Sequence, residues 1–183
     1  WSRGLGDVYK RQVDRITPAT EDEHRQLLRD EYGVEDAWPV IAEPFLQWVI
    51  EDTFVAGRPW WELAMPSDVL VTSNVEPYEL MKLRLLNSAH SALSYAALLC
   101  DHVHVDSALA DPDVFAYLRA YMSEVVKTLE EVQGVDLAEY QRSLLERFSN
   151  TYIKDKLSRL ALDGSQKFMN CLLYTSPSPR DQC

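Results

Sequence analysis

Residues 76–100 read EPYELMKLRLLNSAHSALSYAALLC, and the expected fold is built around this stretch. Pro77 stands in the first turn of the helix that the stretch predicts, where proline is tolerated because the first amide groups have no intrahelical acceptor. The second half is apolar nearly all round, which is typical of a helix buried on every side. The stretch therefore predicts one long buried helix that ends at about Cys100.

Shorter elements are predicted on both sides of this helix. Helix-starting residues or terminal glycines delimit four further helices, over residues 24–32, 111–133, 136–148 and 153–162. Thr20 and Glu23 resemble a capping box for the first of them. Residues 45–50, FLQWVI, suit a strand as well as a helix, because periodicity cannot decide over so short a run. The sequence contains no glycine-rich phosphate loop, so the fingerprint of a dinucleotide site is absent.

Four polar side chains share one stripe of the predicted central helix. At roughly 100° per residue, Glu79, Asn87 and His90 fall within about 140° of Lys82 on the same side. Burying an ammonium group without a partner or a purpose is expensive, and desolvation lowers the pKa of a lysine towards the range of a general base. The spacing alone leaves two interpretations open. The stripe is either a catalytic lysine site or a structural Glu79–Lys82 pair with a capped asparagine.

Charge and cysteine usage bear on the class of protein. The 183 residues carry 29 Asp and Glu against 18 Lys and Arg, so the formal net charge is −11. An acidic chain argues against non-specific binding to nucleic acid, which needs Lys and Arg. No apolar run approaches the length of a membrane span, so no membrane partner is expected. Cys100 is the only cysteine before residue 171, which suits a reducing compartment and predicts a cytoplasmic location.

The two ends are interpreted as additions to the native sequence. Residues 1–12 and 171–181 can be written in codons such that the second string is the reverse complement of most of the first. Such an inverted repeat resembles a transposon adapter used in sequencing libraries; the alternative is two natural tails. We therefore expect residues 1–12 and 171–183 to be adapter-derived and unpacked. Residues 13–170 would then form a single domain with its own core.

The spacing Lys82-x4-Asn87-x2-His90 resembles the catalytic signature of the mannitol dehydrogenase family, the long-chain polyol and hexuronate dehydrogenases. Flanking motifs agree in order along residues 13–170; they are VDRITP (13–18), DAWPV (36–40), EPF (43–45), QWVIED (47–52), GRP (57–59), YELMKLRLLN (78–87), RFSN (147–150) and DGSQK (163–167). Thr151 departs from the family's usual proline, and MPSD (65–68) is unusual. These departures concern packing more than chemistry.

The resemblance implies a fold and a domain arrangement. The fold would be mainly α, a multihelical C-terminal domain like that of 6-phosphogluconate dehydrogenase, with room for a few short strands. Residues 13–170 would be this catalytic domain. The dinucleotide-binding Rossmann domain would precede it and would be missing from this chain, so that the residues that bind the cofactor are unknown and the isolated piece is expected to be inactive.

The resemblance also implies roles for individual residues. Lys82 would be the general base, Asn87 and His90 would hold the reacting oxygen, and Glu79 would line a proton path. Three further residues would contact the polyol: Arg159, Lys167 and Asp14.

The implied reaction is the NAD- or NADP-dependent oxidation of a polyol without a metal. Mannitol to fructose is the first candidate, and fructuronate reductase, mannonate dehydrogenase or arabinitol dehydrogenase activity is the alternative. The expected partners are a small polyol or ketose and the enzyme's own Rossmann domain. A non-enzymatic helical interaction domain is the alternative from another class. Cys100, His102 and His104 match no standard zinc spacing, and we interpret them as surface or helix-end residues.

Overall fold

The computed structural model describes residues 11–54, 56–162 and 164. Within these ranges the chain is mainly helical with one small sheet, which confirms the predicted fold class. The strands are β1 (Arg11–Asp14), β2 (Gln47–Glu51) and β3 (Val69–Thr72). The α-helices are α1 (Asp22–Tyr32), α2 (Trp61–Ala64), α3 (Glu76–Met81), α4 (Ser88–Leu99), α5 (Val105–Leu109), α6 (Pro112–Val126), α7 (Leu137–Phe148) and α8 (Leu157–Leu160). A π-helical segment, Lys82–Asn87, joins α3 to α4.

The predicted central helix is formed by α3, the π segment and α4 in direct succession. Its fully buried stripe recurs every four residues, at Met81, Leu85, Ala89, Leu93 and Ala97. This stripe forms because side chains four apart lie on one face of a helix, and α4 packs on α6 and α8. The central helix ends at Cys100, and the next residue, Asp101, takes a left-handed conformation with φ of 61°.

One part of the prediction for this helix was wrong. Burial on every side was expected, but Tyr95, Leu98 and Leu99 near its C-terminal end are exposed. The reason is that the neighbouring helices cover one face of α4, while these three side chains lie away from it.

The sheet settles the ambiguous run at residues 45–50 in favour of a strand. β2 is the middle strand; it pairs antiparallel with β1 and parallel with β3. Val49 and Ile50 are its buried residues, and Trp48 stacks on Trp61 of α2 with ring centroids 5.0 Å apart. Aromatic and β-branched residues of this kind favour a half-buried pleated surface over a helix.

Capping side chains were predicted at three helix starts, and two of the three cap as expected. Asp111 and Asp136 cap α6 and α7, because each side chain accepts hydrogen bonds from amides of the first turn. The capping box of α1 lies one residue later than expected, with Glu21 and His24 as the reciprocal pair. Thr20 is drawn away by its own hydrogen bond to the carbonyl of Pro39, at 2.7 Å.

The ends of the chain lie almost entirely outside the described residues, so the expected lack of packing there stays a prediction. Arg11 and Gln12, which were expected to be adapter-derived, form the first half of β1 opposite Ile50 and Val49. None of the helices in the described part of the chain combines the length and the apolar character that a bilayer crossing requires.

Candidate active site

The π segment runs between two of the predicted site residues: it begins at Lys82 and ends at Asn87. The amide of Ser88 donates to the carbonyl of Leu83, which is the i to i+5 pattern of a π-helix. In an α-helix Lys82 and Asn87 would lie roughly 140° apart around the axis. In the wider π turn, residues five apart lie about one turn above each other. The structure therefore brings Lys82 and Asn87 to nearly the same side of the helix.

His90 follows on α4, three residues after Asn87, and is half-buried like Lys82 and Asn87. Residues three apart are neighbours on a helix surface, so His90 continues the line of the π segment. Its imidazole stacks on the ring of Phe148 at the end of α7, with centroids 4.2 Å apart and planes 25° apart.

Glu79 lies one turn before Lys82, on α3, and its side chain is exposed. Its backbone carbonyl accepts from the amide of Lys82. Glu79 is thus an exposed carboxylate one helical turn from a half-buried lysine. The position suits the predicted proton path, and the role itself stays a prediction.

Asp14 lies in a buried ionic group that we call the Arg147 cluster, formed by Asp14, Glu43, Tyr140 and Arg147. The guanidinium donates to Asp14 at 2.6 and 3.2 Å and to Glu43 at 2.7 and 3.0 Å, so both contacts are bidentate. The Tyr140 hydroxyl donates to Asp14 at 2.6 Å. Asp14 is 0 % exposed and Glu43 is 2 % exposed. Both oxygens of Asp14 therefore serve this cluster, and a contact with a polyol stays a prediction.

Burial and charge shift the proton affinities within the cluster. Burial, followed by the negative charge of Asp14, raises the pKa of Tyr140 well above its usual range. Burial acts to lower the pKa of Arg147, but hydrogen bonds to Asp14 and Glu43 outweigh it and raise that pKa above its ordinary value. The cluster is thus built to keep Arg147 charged and Tyr140 neutral.

Arg159, at the third position of α8, is held by a buried carboxylate. Its Nε donates to Asp155 at 2.8 Å and its Nη2 forms a second contact with the same group. Next to it, Lys156 pairs with Glu21 at 2.7 Å. These charged groups line a cavity of about 770 Å³, together with Pro18, Ala19, Glu23, His24, Leu27, His104, Thr151, Tyr152 and Lys154.

The cavity beside Arg159 contains only one of the predicted site residues within the part of the chain that the structure describes. Lys82, Asn87 and His90 are not among the residues that line the cavity beside Arg159. The proximity of Arg159 to Lys82 therefore stays a prediction. Lys167, the other predicted cation, lies outside the described residues.

The histidines after α4 have structural partners. His102 Nε2 lies 3.2 Å from Asp111, whose pKa is lowered first by the backbone amide of Asp113 and then by this histidine. The backbone of His104 forms a bridge with Lys156. Among the residues that the structure describes, no group of three His, Cys, Asp or Glu side chains is arranged to hold a metal ion.

Sequence reasoning assigned no role to Glu43, Tyr140, Arg147 or Phe148, although EPF and RFSN were recognised as family motifs. A signal was available in α7. Tyr140, Leu144, Arg147 and Phe148 recur at helical spacing on its buried face, and an arginine on such a face requires a carboxylate partner. The identity of that partner could not be read, since Asp14 and Glu43 lie 133 and 104 residues away in sequence.

Comparison with known proteins identifies the family of the chain. The model of the mannitol dehydrogenase C-terminal domain matches residues 74–176, and that of the mannitol dehydrogenase Rossmann domain matches residues 9–63. These matches do not test the predicted division into residues 1–12, 13–170 and 171–183, which stays a prediction.

Individual relatives are similar over most of the chain. Mannitol dehydrogenase 2 of Saccharomyces cerevisiae is 46% identical over 171 residues, which cover 93% of this chain and 33% of that protein. Mannitol 2-dehydrogenase of Phaeosphaeria nodorum is 46% identical over 168 residues, 91% of this chain and 30% of that protein.

Two solved structures are similar as well. The Pseudomonas fluorescens mannitol 2-dehydrogenase, in a ternary complex with NAD and D-mannitol, has a TM-score of 0.81 and 48% identity over 89% of this chain and 33% of its own. A substrate-free D-sorbitol dehydrogenase has a TM-score of 0.77 and 36% identity over 87% of this chain and 32% of its own. The chain thus spans about a third of the length of these relatives. Because the C-terminal domain model alone matches more than half of the residues, the chain belongs to the mannitol dehydrogenase family.

Proposed function

We propose that the chain is the substrate-facing part of an NAD- or NADP-dependent oxidoreductase that converts a polyol to a ketose, with mannitol to fructose as the first candidate. The observation that carries the proposal is the π turn from Lys82 to Asn87, because it aligns an amine with an amide and continues to His90. The likeness to an enzyme whose structure is a ternary complex with NAD and D-mannitol supports the same assignment.

The polar groups on the π turn suit an alcohol oxygen better than the phosphates of a dinucleotide. An amine, an amide and an imidazole are uncharged or singly charged donors, and the sequence has no glycine-rich loop that would cradle phosphates. When bound by the rest of the enzyme, the nicotinamide would accept the hydride from the carbinol carbon.

In the proposed mechanism, neutral Lys82 accepts the proton of the secondary hydroxyl. The Asn87 amide and the His90 imidazole donate hydrogen bonds to the oxygen as negative charge develops there. Glu79, exposed one turn before Lys82, passes the proton on to solvent. These steps require no metal ion.

The surroundings of Arg159 favour an uncharged substrate over a hexuronate. The carboxylate of Asp155 neutralises the guanidinium of Arg159 in a bidentate contact. The remaining N–H groups of the guanidinium are left to donate to hydroxyl groups. A hexuronate carboxylate would have to compete with Asp155 for this cation. Fructuronate or mannonate therefore ranks below mannitol, sorbitol and arabinitol in this proposal, and Lys167 and Asp14 keep their predicted roles as further polyol contacts.

The proposal includes a cytoplasmic location and excludes nucleic acid and membranes as partners. Cys100 is an exposed free thiol, which suits a reducing compartment. The formal net charge of −11 disfavours contact with phosphate backbones and anionic lipid surfaces.

A completed enzyme tests this function. Residues 13–170 of this chain would replace the corresponding third of the Pseudomonas fluorescens mannitol 2-dehydrogenase, to which the chain is 48% identical. Reduction of NAD and of NADP is then measured with D-mannitol, D-sorbitol, D-arabinitol and D-mannonate. We expect turnover with D-mannitol, and we expect Lys82→Ala to lower kcat by about 10²–10⁴-fold, the range for loss of a general base.

Lys127→Ala is the matched control, because Lys127 is an exposed lysine whose contact is a surface pair with Glu124. It should leave kcat unchanged. A folded Lys82→Ala enzyme with the activity of the Lys127→Ala enzyme would contradict the proposed role of Lys82 as general base. A folded completed enzyme that turns over none of the four substrates would contradict the proposed function and favour a non-enzymatic helical interaction domain.

A further inference from the structure

We infer that Phe148 is a positioning residue that fixes the ring plane of His90, and that the Arg147 cluster holds Phe148 in place. The inference rests on the proposed function insofar as His90 acts on the reacting oxygen. It assigns a role to an apolar residue and to a buried ionic group on another helix.

The first step is the contact between the two rings. Phe148 is buried at the last position of α7, and its ring covers one face of the His90 imidazole at a centroid distance of 4.2 Å. Rotation of the imidazole about its outer torsion would drive it into the phenyl ring. The stacked partner therefore restricts the directions in which the two ring nitrogens can point.

The second step is the anchoring of Phe148 itself. The preceding residue, Arg147, makes four hydrogen bonds to two buried carboxylates, so the end of α7 is tied at a fixed height and rotation. The ring of Phe45 lies under the same guanidinium, 3.9 Å from its central carbon to the ring centroid. A planar fork held on both edges and on one face has little freedom to move.

The residues that hold Arg147 belong to a different part of the chain from His90 and Phe148. Asp14, Glu43 and Phe45 lie in the segment that matches the Rossmann domain model, whereas His90 and Phe148 lie in the segment that matches the C-terminal model. The contacts that anchor the end of α7, and with it the ring stacked on His90, therefore cross between the two matched segments. A shift of Asp14 or Glu43 would be transmitted through α7 to the histidine.

The contact can be tested on the chain as it stands, without an activity assay. Nitrogen-15 NMR of the imidazole reports which ring nitrogen carries the proton, and the ring current of Phe148 displaces the carbon-bound ring protons of His90. We expect Phe148→Leu to remove that displacement and to change the populations of the two neutral ring tautomers. Phe115→Leu removes a partly buried phenyl from α6 and should leave the His90 signals as they are.

The kinetic part uses the completed enzyme described above. Phe148→Leu should lower kcat roughly ten- to a hundredfold, as expected for a small misplacement of a catalytic group. KM for the polyol should change less than twofold, because we infer that the ring acts through the histidine. Phe148→Tyr, which keeps a stackable ring, should restore most of the turnover. Should Phe148→Leu unfold the protein, Arg147→Lys tests the anchor, since it keeps the charge and loses the fork.

Failure of the proposed role of His90 and failure of the inferred role of Phe148 give different outcomes. If His90→Ala retains full turnover, the proposed role of His90 fails and the inference falls with it. If His90→Ala is inactive while folded Phe148→Leu keeps both its turnover and the His90 signals of the parent chain, the inference alone is overturned. Altered His90 signals, reduced kcat and rescue by tyrosine together support it.

Discussion

The Tyr140 hydroxyl is a neutral donor in the Arg147 cluster, and its removal has a predictable cost. Tyr140→Phe deletes the 2.6 Å hydrogen bond to Asp14 and leaves a buried carboxylate oxygen with one donor fewer. We expect the free energy of unfolding in urea to fall by about 1.5–3 kcal/mol, the range for loss of a hydrogen bond to a charged group. Tyr152→Phe, at a tyrosine that is 89 % exposed, should change it by less than about 0.5 kcal/mol. Equal effects of the two substitutions would show that the buried hydroxyl contributes nothing.

The same tyrosine predicts a loss of stability in alkali. Burial and the charge of Asp14 raise the pKa of folded Tyr140, whereas in the unfolded chain it stays at about 10. A raised folded pKa gives a contribution that is fully present below about pH 10 and is lost as the pH rises towards the folded value. The free energy of unfolding, measured in urea between pH 8 and 11, should therefore fall more steeply for the parent chain than for Tyr140→Phe. Parallel curves would contradict the assignment.

Single residues also mark how far sequence reasoning reaches. The stripe of Lys82, Asn87 and His90 was readable because helical spacing relates residues a few positions apart. The roles of Glu43 and Phe148 were not, since each depends on a contact between distant segments that no local pattern encodes. A buried arginine implies a carboxylate partner, but the sequence does not identify which carboxylate it is.

At the scale of elements, the N-caps of α6 and α7 were predicted correctly because capping is a local interaction. Asp136 accepts from the amides of Ala138 at 2.8 Å and Glu139 at 3.2 Å. Asp136→Ala should lower the free energy of unfolding by about 0.5–2 kcal/mol, and Asp136→Asn, which keeps the capping oxygen, should change it little. Urea titrations at neutral pH measure both. An alanine variant as stable as the asparagine variant would mean that α7 is held by packing alone.

The π segment is the element that the sequence could not supply. A 100° rotation per residue was assumed throughout the central helix, and that assumption left Asn87 roughly 140° from Lys82. One stretch of i to i+5 hydrogen bonding removes most of this angle. Met81, directly before the segment, and Leu85, within it, are both fully buried, so the segment is packed into the core, and this is information from the tertiary structure.

At the scale of the whole molecule, large apolar side chains are exposed in the segment that matches the Rossmann domain model. Trp38, Val40, Trp60 and Leu63 are each more than half exposed, although soluble proteins rarely expose extended apolar surface. We expect the chain alone to bind an apolar fluorescent dye such as anilinonaphthalene sulfonate, and the completed enzyme to bind much less per molecule. The measurement is dye fluorescence at equal protein concentration. Equal fluorescence would show that the remaining two thirds of the enzyme leave these side chains uncovered.

The overall architecture was more predictable than the arrangement of the predicted site residues. A mainly helical fold follows from the apolar stretch around Leu93 and from the helix starts, all of which are local signals. The order and direction of the three strands do not follow from local signals. β2 and β3 are parallel, so the chain must cross over between them through α2, and this crossover depends on how α2 packs against β3. The relation between Arg159 and Lys82 is likewise a matter of how α8 lies on α4.

The Arg147 cluster has a consequence for recombination between homologous enzymes. A crossover placed anywhere between Glu43 and Arg147 takes the two carboxylates from one parent and the guanidinium from the other. Such a hybrid keeps its interior neutralised only where both parents carry the matching residues. Libraries of shuffled polyol dehydrogenases should therefore be depleted of breakpoints in this interval whenever one parent lacks either half of the pair. Breakpoints before Asp14 or after Phe148 leave the matched set intact.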